Sequence, residues 1–223
     1  MIISPSILAA NKQHLIEDIQ LVESLGVEFI HFDVMDGKFV PNTSYTIEDL
    51  DYIVPHHHLI NDVHIMVENP YEVGIEFANH GADYVTFHIE ATKDEAEVLK
   101  IINKLHQLKV KVGISIKPNT SVETILKYLP LIDLILVMSV EPGFGGQKFI
   151  ESAIDKIKTL RQYIDQNNLS CLIEVDGGIN NITGQKCKDA GVDILVAGSY
   201  LFGHDDIKER IDSLRWLNLI LFG

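Results

Sequence analysis

Histidine and aspartate side chains lie inside two apolar stretches of this chain that otherwise have the composition of buried β-strands. The first stretch contains His31 and Asp33, and the second contains Asp62 and His64. Because successive side chains of a strand point to opposite faces, the two members of each pair point to the same side. Imidazole nitrogens and carboxylate oxygens are suitable ligands for a divalent metal ion. The alternative is a pair of buried polar groups that only find hydrogen-bond partners.

A third stretch, residues 172–178, contains Asp176, which adds another carboxylate at the end of a predicted strand. The pattern therefore predicts one divalent metal ion. Zinc, iron, manganese and cobalt all accept this ligand set, and the sequence does not choose among them.

Eight apolar stretches alternate with helical periodicity, which is typical of βα units around a parallel sheet. We predict strands at residues 2–8, 28–35, 60–66, 84–90, 111–116, 134–140, 171–176 and 194–199. We predict a helix after each strand, most clearly at residues 12–25, 93–107 and 149–166. Eight repeats, with no dinucleotide fingerprint after the first strand, indicate an α/β fold of the (β/α)₈ TIM-barrel type.

Length and composition predict a single domain over residues 1–223. The net charge of −14 argues against binding to nucleic acid or to anionic membranes. No stretch reaches the roughly 20 apolar residues that span a bilayer, and the N-terminus has no basic region before its apolar run. Cys171 and Cys187 form neither a metal motif nor a disulfide framework, so a reduced cytoplasmic protein is expected.

The C-terminal segment, residues 214–223, is strongly apolar. We expect it to pack on the body of the protein, with a second subunit as the alternative surface. A homo-oligomer is predicted, and its subunit number is left open.

In a TIM barrel the active site forms at the carboxyl ends of the strands. The metal-site candidates lie at these ends, as do His88 and Glu90, which could be wall residues or groups that orient a metal ligand. The three histidines at 56–58 precede the third predicted strand, at the opposite end of the barrel. We interpret them as part of a surface loop.

Glycine-rich loops follow the sixth, seventh and eighth predicted strands, at residues 143–147, 177–178 and 198–199. These loops are neighbours in a barrel, and backbone N–H groups in such loops bind anions without lysines. They lie where barrels of this kind usually bind phosphate. We therefore predict a phosphorylated small molecule as the ligand, and we expect residues 143–149 to act as a lid because of their glycine content.

Six stretches together resemble the ribulose-phosphate 3-epimerase family over almost the whole chain. They are SPSILAA at 4–10, HFDVMDGKFVPN at 31–42, DVHIMVENP at 62–70, VMSVEPGFGGQKFI at 137–150, EVDGGIN at 174–180 and VAGSYLF at 196–202. The resemblance implies a metal-dependent TIM barrel of the ribulose-phosphate-binding type. It also implies an isomerase of carbohydrate metabolism, in the pentose phosphate pathway, that interconverts D-ribulose 5-phosphate and D-xylulose 5-phosphate.

The resemblance also implies residue roles. Asp33 and Asp176 would exchange protons at C3 through an enediolate, and His31 and His64 would join them as metal ligands. The residues expected to bind the phosphorylated ketose are Ser6, Met35, His64, Met66, Met138, Gly143, Phe144, Gly145, Gly146, Asp176, Gly177, Gly178, Gly198 and Ser199. Inversion of a carbon beside a carbonyl needs one acid/base group on each face, and strands two and seven lie nearly across the ring from each other. The methionines could equally be plain core residues.

Three stretches depart from the family pattern and leave alternatives open. They are TSYTIED at 43–49, Asn11, and the loop that contains Lys117 and Asn119. A 3-epimerase of a hexulose 6-phosphate, of the allulose-6-phosphate type, is the first alternative. A lyase would need a lysine at the reacting carbon, for which Lys38 and Lys117 are the candidates. A sugar-phosphate sensor without catalysis is the third alternative.

Overall fold

The computed structural model describes residues 1–215, and each of the eight predicted stretches forms a strand. The strands are β1 (Ile2–Pro5), β2 (Phe29–Met35), β3 (Ile60–Met66), β4 (Tyr84–His88), β5 (Lys111–Ile116), β6 (Leu134–Met138), β7 (Leu172–Asp176) and β8 (Ile194–Ala197). Strands β1 and β4 end earlier than predicted because the chain turns directly into 3₁₀ segments, Ile7–Ala9 and Ile89–Ala91. Apolar composition continues through these turns, so it does not mark where a strand stops.

All strand pairs are parallel, in the order β1-β8-β7-β6-β5-β4-β3-β2. The remaining edges, β1 and β2, meet through one isolated bridge between Ser6 and His31. The eight strands thus form the nearly closed (β/α)₈ barrel that the sequence predicts.

Seven α-helices cover the described part of the barrel. They are α1 (Leu15–Ser24), α2 (Ile47–Ile53), α3 (Pro70–Asn79), α4 (Glu95–Gln107), α5 (Ser152–Gln166), α6 (Asn181–Ala190) and α7 (Ile207–Arg215). The prediction of a helix after every strand is wrong after β5, where the chain forms two 3₁₀ segments, Val122–Thr124 and Leu126–Leu131. Pro130 lies inside the second segment and removes a backbone donor that an α-helix would need.

A continuous apolar core fills the space between the strands and the helices. Inside the barrel, a separate apolar cluster fills part of the interior, and it contains Phe29, Leu134, Leu136, Met138, Val140 and Ile194. The interior beside β2 and β3 is polar instead, because His31, Asp33, Asp62 and His64 are buried there. Another buried acidic residue, Glu174, lies on β7.

Cys171 and Cys187 are free and buried, as expected for a chain without disulfides. Within residues 1–215, we find no helix that combines the length and the apolar character needed to span a membrane. The predicted packing of the apolar segment 214–223 concerns residues that lie almost wholly outside the described part of the chain.

Candidate active site

Four polar side chains from β2, β3 and β7 come together at the carboxyl end of the barrel. The parallel register pairs Asp33 with His64 on the neighbouring strand, and β7 contributes Asp176. One potential ligand atom from each of His31, Asp33, His64 and Asp176 lies within 4.8 Å of the others. The structure therefore brings together the four residues that the sequence singled out as possible metal ligands.

The two histidines of this cluster present ring nitrogens that have no hydrogen-bond partner among the described residues, namely Nε2 of His31 and Nδ1 of His64. Each of these nitrogens lies 3.5 Å from Oδ1 of Asp33. Two ligands of a tetrahedral ion at about 2.1 Å are about 3.4 Å apart. Unpartnered buried nitrogens at this spacing, beside two carboxylates, fit a divalent cation.

The remaining polar atoms of the cluster are fixed by hydrogen bonds. Nδ1 of His31 lies 2.6 Å from Oδ2 of Asp62, which orients the ring so that Nε2 faces Asp33. The Ser6 hydroxyl donates a hydrogen bond of 2.6 Å to Oδ2 of Asp33. The Ser44 hydroxyl also donates to the backbone carbonyl of Asp33. Asp33 is thus held at its side chain by Ser6, which follows β1, and at its backbone by Ser44, which follows β2.

The two aspartates of the cluster have pKa values that move in opposite directions. Burial alone would raise the pKa of Asp33, but the positive charge of His31 outweighs burial and lowers it far below its usual value. Burial and the negative charge of Asp33 raise the pKa of Asp176 to about 7. One carboxyl group is therefore ionised and the other can hold a proton near neutral pH.

The cluster opens into a cavity of about 710 Å³. The cavity is lined by thirteen of the fourteen predicted substrate residues, and His64 lies behind the lining. These lining residues are Ser6, Met35, Met66, Met138, Gly143, Phe144, Gly145, Gly146, Asp176, Gly177, Gly178, Gly198 and Ser199. The three methionines are almost fully buried, and all three border the space beside the aspartates.

The glycine loops after β6, β7 and β8 converge on the same cavity, as predicted. Gly177 has a φ of 118°, and a Cβ at this position would lie 2.5 Å from a methyl group of Val140. A Cβ on Gly178 would lie 2.6 Å from the backbone nitrogen of Phe149. Only glycine permits these two loops to pack so closely.

The two lysines considered for a lyase do not line the cavity. The Lys117 ammonium lies over the ring of Phe39, 3.9 Å from its centroid. Lys12 is the one cationic residue among the described lining residues, and no motif in the sequence singled it out.

A second group of described residues that could hold a metal ion consists of His31, Asp62 and Glu174. The histidines at 56–58 belong neither to this group nor to the four-residue cluster. His56 and His58 are exposed, as predicted for a surface loop. His57 is buried, and its Nδ1 accepts a hydrogen bond of 3.0 Å from the Leu59 backbone.

Glu174 is a buried residue of the site region that the sequence reasoning did not single out. Its side chain is fully buried beside Asp62, and burial together with the charge of Asp62 raises its pKa. It lies two residues before Asp176 on β7, so strand alternation alone would have placed both on one face.

The segment 43–49, which departs from the family pattern, forms one wall of the cavity. The buried Tyr45 donates a hydrogen bond of 2.7 Å to the carbonyl of Ile7, and Thr46 with Asp49 forms a capping box at the start of α2. The segment therefore couples the loops after β1 and β2.

The family model described as "Ribulose-phosphate 3 epimerase family" matches residues 2–202 of the chain. Among curated relatives, the ribulose-phosphate 3-epimerase of Chlamydia muridarum is 43% identical over 215 residues, which are 95% of this chain and 93% of that protein. The ribulose-phosphate 3-epimerase of Mycobacterium tuberculosis is 41% identical over 214 residues, which are 96% of this chain and 91% of that protein.

The fold also matches solved structures with low sequence identity. KGPDC from Streptococcus mutans, solved in complex with D-R5P, has a TM-score of 0.70 at 13% identity. The alignment covers 99% of this chain and 98% of that one. At such low identity the likeness concerns the barrel architecture alone.

Proposed function

Because the chain belongs to the ribulose-phosphate 3-epimerase family and is an isomerase of that class, we propose that Asp33 and Asp176 carry out its reaction as a pair of proton-transfer groups. The substrates are D-ribulose 5-phosphate and D-xylulose 5-phosphate, which differ only in configuration at C3. The observation that supports this pair most directly is that the buried carboxyl group of Asp33 and the half-buried one of Asp176, from strands on either side of the β1–β2 seam, reach one cavity.

The surroundings of the two aspartates suit opposite roles. Asp33, whose pKa is lowered, is ionised and removes the C3 proton from one face. Asp176, whose pKa is raised to about 7, holds a proton that it delivers to the other face. In the reverse direction the roles exchange, so each aspartate serves both as acid and as base. The hydrogen bond from Ser6 holds one oxygen of Asp33 in position.

The residues that would hold a metal ion are His31, Asp33, His64 and Asp176. A divalent cation of the zinc, iron, manganese or cobalt type would supply positive charge beside the enediolate. Met35, Met66 and Met138 surround the reacting carbon with polarizable side chains that carry no acidic proton.

The glycine loops after β6, β7 and β8 hold the phosphate group through backbone N–H groups. This anchoring is consistent with a net charge of −14, because the anion is bound locally without a basic surface. With the phosphate held at these loops and C3 between the aspartates, the substrate extends across the cavity.

Proton NMR in D₂O tests the reaction and the substrate together. The metal-loaded protein is incubated separately with D-ribulose 5-phosphate and with D-allulose 6-phosphate, and the C3 proton signal is followed. We expect the pentulose to lose its C3 proton and to form its epimer, with little change in the hexulose. Faster exchange in the hexulose would assign the chain to the hexulose 6-phosphate type, and exchange in neither would overturn the proposal. Chelator treatment followed by metal return is the control, and activity should be lost and then restored.

A further inference from the structure

His88 and Glu90 form a hydrogen-bonded chain behind His64, on the side away from the cavity. Nε2 of His64 lies 2.9 Å from Nε2 of His88. Nδ1 of His88 lies 3.1 Å from Oε2 of Glu90. Both histidines are fully buried, and Glu90 belongs to the 3₁₀ turn after β4 instead of to the strand in which the sequence placed it.

The other oxygen of Glu90 accepts two hydrogen bonds from the loop after β5. The Lys117 backbone N–H donates to Oε1 at 2.7 Å, and the Thr120 hydroxyl donates to the same oxygen. Burial would raise the pKa of Glu90, but the hydrogen bond and charge of His88 outweigh burial and lower it to about 2. Glu90 is therefore an ionised carboxylate that only accepts hydrogen bonds.

The acceptor role of Glu90 determines where the protons lie on His88 and His64. Because Glu90 only accepts, Nδ1 of His88 carries the proton, and Nε2 of a neutral His88 is an acceptor. Nε2 of His64 lies at hydrogen-bond distance from this acceptor. His64 must then carry its proton on Nε2 to donate to His88. Its Nδ1 keeps a free lone pair, and this is the nitrogen that faces Asp33 at 3.5 Å.

We propose that His88 and Glu90 are positioning residues that fix His64 in the tautomer whose Nδ1 can bind the metal ion. This inference rests on the proposed metal role of His64. Histidine ligands commonly donate their second ring nitrogen to a carboxylate, which fixes the tautomer and the ring orientation. His31 has such a partner directly in Asp62. His64 reaches its carboxylate through a second imidazole.

Neighbouring side chains shield the hydrogen-bonded residues His64, His88 and Glu90 from water and hold them in place. The Phe39 ring packs against the His88 ring at a centroid distance of 5.0 Å, and the Lys117 ammonium covers the other part of Phe39. Lys156 of α5 donates a hydrogen bond of 2.9 Å to the carbonyl of Lys117 and another of 2.5 Å to that of Thr120. The loop after β5, which departs from the family pattern, thus holds Glu90 in place.

The substitution Glu90→Gln tests the inference with almost no change in shape. The Lys117 and Thr120 donors keep the amide oxygen on their side, so the amide NH₂ faces His88. Nδ1 of His88 must then accept, which moves the His88 proton to Nε2 and the His64 proton to Nδ1. We expect metal affinity to fall by about 10- to 100-fold. The affinity is measured by titration of the metal-free protein with Co²⁺, followed by its absorption spectrum.

A second readout does not depend on activity or on the metal. The ¹⁵N chemical shifts of the ring nitrogens in the metal-free wild-type protein should show protonated Nδ1 in His88 and protonated Nε2 in His64. In Glu90→Gln both protons should have moved to the other nitrogen. A wild-type His64 with its proton on Nδ1 would overturn the inference even if the variant failed to fold.

The matched control is Asp51→Asn, which makes the same carboxylate-to-amide change beside an exposed histidine. Oδ1 of Asp51 lies 2.8 Å from Nδ1 of His80. Neither residue lines the cavity. This variant should bind Co²⁺ as the wild type does. If Glu90→Gln binds Co²⁺ as tightly as the wild type while the wild type epimerises D-ribulose 5-phosphate, the inference fails and the proposed function stands. If the wild type epimerises nothing but Glu90→Gln still loses metal affinity, the function fails and the inference stands.

Discussion

Asp33 and Asp176 are the same residue type, and the difference in their chemistry comes from what surrounds each carboxyl group. Asp33 lies beside the positive charge of His31 and accepts a hydrogen bond from Ser6, and both favour the ionised form. Asp176 is partly removed from water and lies near the negative charge of Asp33, and both favour the protonated form. Pairs of titratable groups that are pushed apart in this way are typical of acid/base catalysis.

At this scale we predict that Asp33→Asn and Asp176→Asn each reduce epimerisation by about 10²- to 10⁴-fold or more, because an amide does not replace a general acid/base group. Each variant keeps one of the two carboxyl groups. The C3 proton can therefore exchange with solvent on the remaining side without inversion, and NMR in D₂O distinguishes this exchange from formation of the epimer. The metal content of both variants is measured in parallel, since an amide is also a weaker ligand. Near-normal epimerisation by either variant would contradict the two-aspartate mechanism.

At the scale of secondary-structure elements, strands β4 and β5 are packed so closely that one position on β5 accepts only glycine. Gly113 pairs in register with Thr86 of β4, and a Cβ added at Gly113 would lie 2.1 Å from the Thr86 hydroxyl oxygen and 2.9 Å from its Cβ. The restriction is one of space, because Gly113 does not have a positive φ. Any side chain at Gly113 would push β4 and β5 apart at Thr86, two residues before His88.

We therefore predict that Gly113→Ala lowers the free energy of unfolding by roughly 1–3 kcal/mol, the usual cost of overpacking a core. Urea denaturation measures the change. Adding Thr86→Ala to the same chain should recover part of the loss, because it removes the hydroxyl that is in conflict. Gly145→Ala is the control, since a Cβ there would have no heavy atom within 4 Å. Equal losses at both glycines would show that the conflict with Thr86 is not the cause.

At the scale of the whole molecule, one end of the barrel forms the candidate active site and the other end contributes to stability. The carboxyl ends of the strands form the cavity, and interactions at the amino ends hold neighbouring units together. Asp133, just before β6, accepts hydrogen bonds from the Lys111 ammonium at 2.6 Å, the Val112 backbone at 2.9 Å and the His106 ring at 3.2 Å. Arg215 at the end of α7 donates to the carbonyls of Leu25 and Gly26, which joins the last described helix to the first.

Stability at this end should depend on pH through Asp133. Burial would raise the pKa of Asp133, but the Lys111 hydrogen bond and the Val112 N–H outweigh burial and lower it. A carboxyl group with a lowered folded pKa stabilises the protein above its unfolded pKa, and this contribution is lost as the pH falls through the folded value. We predict that Asp133→Asn costs about 1–3 kcal/mol near neutral pH.

Urea denaturation across a pH series checks this expectation. The difference between wild type and Asp133→Asn should be constant above about pH 5 and should shrink below about pH 4, where the wild-type carboxylate takes up a proton. A difference that stays the same at acid pH would show that the charge of Asp133 is not responsible. Epimerase activity should change little, because Asp133 lies outside the cavity lining.

Several features of the site could be predicted from the sequence because they depend on local periodicity. Strand alternation put His31 with Asp33 and Asp62 with His64 on shared faces, and all four are buried inside the barrel. The alternation of strands and helices predicted the barrel, and the barrel predicted that the glycine loops converge. The prediction of a helix after β5 was wrong. The periodicity of apolar residues does not account for Pro130, which lacks the backbone N–H that an α-helix would need.

The sequence by itself determined the architecture and the residue types that gather at one end of the barrel, since both follow from repeating patterns along the chain. Only the tertiary structure decided which ring nitrogen of His31 and of His64 is free, which aspartate is ionised, and that Glu90 reaches His64 through His88. These properties depend on distances between side chains from different strands and on their removal from water. Neither quantity is encoded in the spacing of residues along one strand.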